Sequence, residues 1–495
     1  MSTGRIVKSG LWIYIGGLST NIIGYVYWIL ASRFVPPDIV GIASAIIALQ
    51  GLLVVVVSLG LPTGMKRFIG KTMDDEDYSR MSGYFSTNLL IMTTLSFSAV
   101  IVLTLFANLY QGALGISSSD ILFVVLLTLL NVFTPLLMSL FDSLLRTRIT
   151  AISQILSAIA KITIGLFLFV MGLGFIAIMT TFAISSLLAD MVLSYAAYSF
   201  FKRQKVSLKP EKEFWKESVI AGLPAWIPNI LTISGQSFAI LSTYALIGQT
   251  ETGLYYLAYA IAAVVYAIPT SILGLMYPVM SGMSSGRKTA ITRMTKIAVA
   301  ITAPISISVT LYSAIPLMML GPQYAGSAPL LSILVIGAPF YAIYAGYYGY
   351  VYAIKRYYHV VSLGLAINGS RLVFYFLLAG MFGVMGVAWG YFLGIVLGLM
   401  GMACSSYIIS YRPAWVLYMK AILTPSAFAI GCILFDIQWF IGIPLILVIS
   451  FIIYTKFGVI LKADGVEILE VFTSEDTRQR FHPYLKWISG ILFGD

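Results

Sequence analysis

The feature that most constrains this chain is a succession of apolar segments, each reaching the roughly 20 residues that cross a bilayer as a helix, separated by gaps in which cations appear alternately. Hydrophobic residues form 59% of the 495 and charged residues 10%, more apolar than a soluble core requires. Fourteen spans are read near 10–31, 39–61, 83–107, 120–142, 150–172, 175–200, 218–241, 252–276, 297–320, 328–354, 359–381, 383–410, 414–435 and 438–460. Lys and Arg favour short cytoplasmic loops, so their positions test this division. Of the thirty, twenty-seven fall at the termini, in even-numbered gaps or within the adjoining inner ends of spans, from Lys66 and Arg67 to Arg412 and Lys420. Arg33 alone occupies an odd-numbered gap, and Lys161 and Arg371 lie within spans. One span more or fewer would scramble the alternation. The expectation is an all-α, multi-pass cell-membrane protein with both termini in the cytoplasm.

The net charge of +11 is met by anionic lipid facing the basic loops, without a nucleic-acid partner. Two cysteines inside spans and two separated histidines suggest neither a disulfide framework nor a metal site. No cofactor is expected; a coupling ion, H+ or Na+, is compatible with the reading. Outer loops are short, and their acids Asp38, Asp120, Glu251 and Asp436 are isolated. A membrane-embedded glycosyltransferase or polymerase, which needs a catalytic acid or acid pair near an outer face, is therefore disfavoured, and no enzyme is expected.

The six cations of 202–217, with Pro210 and three acids, mark a linker. It divides an N-terminal six-helix lobe (1–201) from a second (218–410), followed by two additional helices (411–462) and a cytoplasmic amphipathic tail (463–495). A shift of 212 lays Gly10-Leu11 on Gly222-Leu223, Thr20 on Thr232, Gly41 on Gly253 and Ala48 on Ala260. This shift equals six spans, an even number, so the repeats share one orientation around a central cavity.

Charges deep in a membrane are costly and face cavities or partners. Lys161 and Asp190 lie at equal depth when counted from the inner ends of consecutive spans, which predicts an ion pair, either structural, or opened during transport or titrated by a coupling proton. Arg371 has Asn368 at i−3 and Tyr375 at i+4 on its helical face, a polar stripe suited to an anion because guanidinium offers a fork of donors. Its alternative role is hydrogen bonding to nearby carbonyls. Asn229, Thr232 and Gln236 align on span seven, and Tyr14, Asn21, Tyr25 and Trp28 on span one. They read either as cleft walls or as interhelical hydrogen-bonding groups. Asp142 and Arg146, at i and i+4, predict a local pair. Asp74 to Asp77 read as a solvated helix start rather than a metal site.

Ala31-Ser32-Arg33-Phe34, then Gly41, Ser58-Leu59-Gly60-Leu61-Pro62 and Lys66-Arg67-Phe68, resemble the opening of polysaccharide-biosynthesis flippases of the multidrug/oligosaccharidyl-lipid/polysaccharide exporter superfamily. Gly253-Leu254-Tyr255 and Tyr277-Pro278-Val279-Met280-Ser281 repeat the theme, while Val35-Pro36-Pro37 departs from the more usual Gly-Pro. The resemblance implies two six-helix lobes, two extra helices and alternating access for a polyprenyl-phosphate-linked glycan, with membrane lipids and other envelope-glycan biosynthesis proteins as partners. Arg371, Lys161, Asp190, Asn368, Tyr375, Asn21, Tyr25, Asn229, Gln236 and Arg33 are the candidate substrate-contacting residues. Cation-coupled drug exporters of the superfamily often carry an acid in the first span, which has none here. Peptidoglycan-precursor flippases cluster arginines in the first lobe, where this chain offers Lys161 and Arg33.

Overall fold

The computed structural model describes residues 3–460 apart from 75, 107–111, 113–114, 275, 277–279, 281–282 and 284. The expected tail helix at 463–495 and the Tyr277-Pro278-Val279 motif lie outside the described residues. All described elements are helical.

Helix α1 (Thr3–Phe34) stops before Pro36, and Pro37 takes the first position of α2 (Pro37–Ser58), where a missing N–H costs nothing. Leu59 and Gly60 then turn left-handed, with φ 45° and 70°, and start α3 (Leu61–Asp74) on a new axis. Asp77 caps α4 (Tyr78–Leu105) by accepting the Arg80 N–H at 2.9 Å, so the acidic cluster does lead into a helix start. A reciprocal Ser117/Asp120 box opens α5 (Ser118–Asn131), and α6 (Thr134–Ser143) follows a break with Pro135 in its first turn. α7 (Thr147–Val170), α8 (Gly174–Arg203), α9 (Lys212–Leu246) and α10 (Gln249–Gly274) complete the first half of the chain. The rest comprises α11 (Arg287–Leu311), α12 (Ala314–Leu320), α13 (Ala328–Ile336), α14 (Ala338–Ala353), α15 (Tyr357–Gly364), a π turn at Leu365–Gly369, α16 (Ser370–Ile408), α17 (Trp415–Leu434) and α18 (Trp439–Lys456).

Twelve helical runs among the described residues are long and apolar enough to cross a membrane. One, Tyr357–Ile408, holds 52 residues, about 78 Å at 1.5 Å per residue and more than twice the ~30 Å hydrocarbon thickness. It reverses at Gly383, where φ 58° and ψ −141° leave the helical region. The two arms then meet along Gly386, Gly390 and Gly394, whose absent side chains admit Leu378, Tyr375 and Arg371 of the opposing arm. This is the small-residue packing by which membrane helices approach closely.

The chain forms two compact units. The first contains Met1–Val264, Leu317–Leu330 and Tyr357–Gly398. In it α1 lies along α7, α7 along α8, and α2 and α3 against α9, over a core that includes Leu61, Met65, Phe85, Leu140, Phe141 and Phe201. The 212-residue shift reappears in three dimensions. A Cβ on Gly41 would overlap the carbonyl of Gln249, and one on Gly253 would overlap the carbonyl of Pro37. Those two carbonyls are themselves 212 positions apart, so α2 and α10 cross with local twofold symmetry.

The second unit contains Val265–Pro316, Leu331–Arg356 and Leu399–Asp495. Here α11 packs on α14, α17 and α18. Ile307, Ala429, Cys432 and Ile446 form an apolar cluster, and Gly442 leaves space for Tyr312, whose hydroxyl donates to the Ile437 carbonyl at 2.8 Å.

Candidate functional site

Lys161 projects from α7 into an aromatic corner of the first unit. Its Nζ stands 3.2 Å from the Phe182 ring centre and 4.6 Å from that of Tyr27. Tyr27 is fixed by a 2.8 Å hydrogen bond with Thr181 and an edge contact with Trp28, while Gly165 leaves room for its ring. A desolvated ammonium over aromatic faces gains about 2 kcal/mol or more from the rings. The expected contact between Lys161 and Asp190 is not made. Ser153 Oγ donates to the Ala189 carbonyl at 3.3 Å, which sets Asp190 opposite the start of α7 rather than opposite Lys161. Lys161 lies eight residues beyond Ser153, about 12 Å along the axis. The equal-depth reading fails because α8 continues roughly two turns past the start of α7, so the two loop ends do not share a plane.

Asp190 instead accepts a 2.6 Å hydrogen bond from Thr134, and one turn earlier Ser186 donates to Asn131 at 2.8 Å. Both partners flank the α5–α6 break. The polar groups Asn131, Thr134, Ser186 and Asp190 therefore gather where span four is interrupted. In the sequence this break is marked only by Asn131 and Thr134 beside Pro135 within an apolar run. Asp142 likewise pairs with Lys66 at 2.8 Å, not with Arg146, which lies over the Phe200 ring at 5.0 Å.

Arg371 is 3% exposed. Its Nε donates to the Tyr391 carbonyl at 3.2 Å and its Nη1 to Asn368 Oδ1 at 3.2 Å, while the guanidinium lies 3.8 Å from the Tyr391 ring centre. The π turn at Leu365–Gly369 re-aims Asn368 just before α16, as single-turn π segments do at functional positions. Gly235 of α9 leaves space for Asn368 and its carbonyl accepts the Tyr375 hydroxyl at 2.9 Å. The expected stripe of Asn368, Arg371 and Tyr375 is therefore one connected group, joining the arms of α16 to α9 and holding the arginine as an internal clip.

The remaining candidates separate by exposure. Asn21 and Asn229 are exposed, Gln236 and Tyr25 are half-buried, and Arg33 is exposed at the end of α1. Trp28 is 4% exposed and stacks edge-on with Tyr256, so it packs rather than lines a cleft. Asn21 bonds to its own helix at the Gly17 carbonyl, 3.0 Å away.

The profile of the polysaccharide biosynthesis protein family matches residues 6–284, more than half of the chain. No curated protein matches it in sequence. Among solved structures the chain is similar to the lipid II flippase MurJ in an inward closed conformation, with TM-score 0.67 and 16% identity over 90% of this chain and 98% of that one. It is also similar to an inward-facing multidrug resistance MATE family transporter of the MOP superfamily, with TM-score 0.62 and 14% identity over 83% and 95% of the two chains. An outward-facing MATE structure gives 0.56 and 16% over 82% and 95%. The opening motifs and the profile agree: the chain, which shares the fold of the MurJ and MATE structures, belongs to the polysaccharide biosynthesis protein family.

Proposed function

We propose that this protein flips polyprenyl-phosphate-linked oligosaccharide precursors across the cell membrane by alternating access, with both termini in the cytoplasm, and that Lys161 meets the phosphate of the substrate. The observation that carries the assignment is the aromatic setting of Lys161. Its ammonium is held by the Phe182 and Tyr27 rings, not by a carboxylate. Among the described residues no carboxylate occupies the amine, which leaves it open to an anionic headgroup, whereas a structural ion pair would engage it. Asn21, Asn229 and Gln236 offer neutral hydrogen-bonding groups suited to sugar hydroxyls. Arg371 acts through packing in the conformation described, and reaches phosphate only if the latter displaces Asn368 and the Tyr391 carbonyl. The Asn131, Thr134, Ser186 and Asp190 cluster is the place where coupling to H+ or Na+ would act, and enzymes that make and use the glycan are the expected protein partners.

The test is reconstitution of purified protein in vesicles with labelled lipid-linked oligosaccharide, reading the fraction of label exposed on each leaflet. Movement that depends on the protein and falls at least tenfold in Lys161→Met supports the reading. No movement, or unchanged movement in Lys161→Met, overturns the respective part. The likeness to MATE structures favours one other reading, export of small cationic compounds. Dye efflux from the same vesicles, lost in Asp190→Asn but indifferent to Lys161→Met, would support that alternative.

A further inference from the structure

Two polar side chains on the Lys161 face of α7 take no part in the reading above. Gln154 and Ser157 precede Lys161 by seven and four residues, so the three share one side of the helix over about 10 Å. Both are half-buried. Gln154 reaches across to α1, where Gly16 leaves room for its Oε1. Among the described residues its amide makes one hydrogen bond, from Nε2 to the Met138 sulfur at 3.8 Å. A thioether is a weak acceptor, so the hydrogen-bonding capacity of this amide is scarcely used by the protein. Polar groups at such depth face a partner or a water-filled cavity. Ser157 donates to the Gln154 carbonyl at 2.9 Å, and its oxygen can still accept.

Helix α1 closes the same groove. Gly16 lies against Ala151 and Gly165 against Tyr27, which offsets the two parallel helices by 135 to 138 positions and brings Asn21 level with Ser157. Phe182 covers Lys161 and also touches the Trp28 ring, so the Lys161 face of α7 and the Trp28 face of α1 turn to one side. Asn21, seven residues before Trp28, lies on that face. Residues 9–32 and 149–160 carry no charge, so the groove leading to Lys161 is neutral and polar.

We infer that Gln154, Ser157 and Asn21 bind the sugar joined to the phosphate of the transported lipid and select which glycan is accepted. The inference rests on the reading of Lys161 as the phosphate contact. Ser157 and Asn21 stand about one helical turn from Lys161 and Gln154 about two, the reach of a group attached directly to that phosphate. A carboxamide sets donors and an acceptor side by side, which matches neighbouring sugar hydroxyls, each of them donor and acceptor. A site built to hydrogen-bond a hydroxyl also rejects the ligand that lacks it, because its own polar groups are then left unpaired.

The experiment uses the purified full-length protein in neutral detergent. Native mass spectrometry titrations compare polyprenyl phosphate with polyprenyl phosphates carrying glucose, galactose or N-acetylglucosamine, for wild type, Gln154→Met, Ser157→Ala and Lys161→Met, with melting curves to establish folding. Wild type should bind at least one sugar-bearing lipid about tenfold or more tighter than the bare carrier. Gln154→Met and Ser157→Ala should each cut that preference by roughly three- to tenfold, the cost of one lost hydrogen bond, without weakening the bare carrier comparably. Should Gln154→Met melt early, Ser157→Ala decides. Equal binding of bare and sugar-bearing lipids by wild type, no binding of any of them, or an undiminished preference in the folded variants overturns the inference. Lys161→Met should weaken all the lipids alike. Unchanged binding of the bare carrier in Lys161→Met, with the sugar preference still dependent on Gln154 and Ser157, counts against the phosphate reading and not against the sugar contacts.

Discussion

Lys161→Met keeps most of the stem that packs near Tyr27 and Phe182 while removing the charge, so it separates packing from electrostatics. The expected outcome is unchanged melting within ~0.5 kcal/mol and transport reduced tenfold or more, checked by melting curves and flipping assays on the same preparation. Arg371 should behave in the opposite way. Arg371→Lys cannot reach both Asn368 Oδ1 and the Tyr391 carbonyl, and Gly394→Ala would push its Cβ into the Arg371 stem. Each should destabilise by about 1–3 kcal/mol. Wild-type melting with reduced transport in Arg371→Lys would instead return Arg371 to the substrate. The contrast shows what was legible in the residues. The buried charges and the Asn368–Arg371–Tyr375 stripe were visible because polar groups are rare in apolar runs. The partner of Lys161 was not, since antiparallel register depends on how far each helix extends beyond the membrane, and loop boundaries do not report that. The aromatic corner was invisible for a related reason: Tyr27, Thr181 and Phe182 join only once α1, α7 and α8 have packed.

At the scale of elements, most of the helix divisions followed from apolar length. The break between α5 and α6 did not, because hydropathy is continuous across Asn131 to Pro135 and only the polar side chains mark it. The repeat offered the more informative signal, as its few identities included a glycine pair whose spatial role is symmetric. Gly41→Ala and Gly253→Ala should therefore destabilise by similar amounts, about 1–3 kcal/mol each, since each Cβ meets a backbone carbonyl that cannot rotate away. Gly51→Ala, whose Cβ would enter open space, is the control and should melt like wild type. A difference of more than ~1 kcal/mol between Gly41→Ala and Gly253→Ala would contradict the local twofold relation.

For the whole molecule, the proposed orientation is tested by single cysteines in a Cys404→Ser/Cys432→Ala background. Cysteine at exposed Ser207 should react with impermeant reagent only from the cytoplasmic side, and cysteine at exposed Ser119 only from outside. Labelling of both from one side rejects the arrangement. The symmetric glycine crossing has a mechanical consequence. Gly41 lies near the first turn of α2, and Ser58 is 17 residues further on, so about 26 Å of helix extends beyond the crossing. A tilt of roughly 10° about that point carries the far end some 4–5 Å, while the backbones at the crossing barely separate. Two bare glycines thus give α2 a fulcrum near one end and nearly its full length as lever arm.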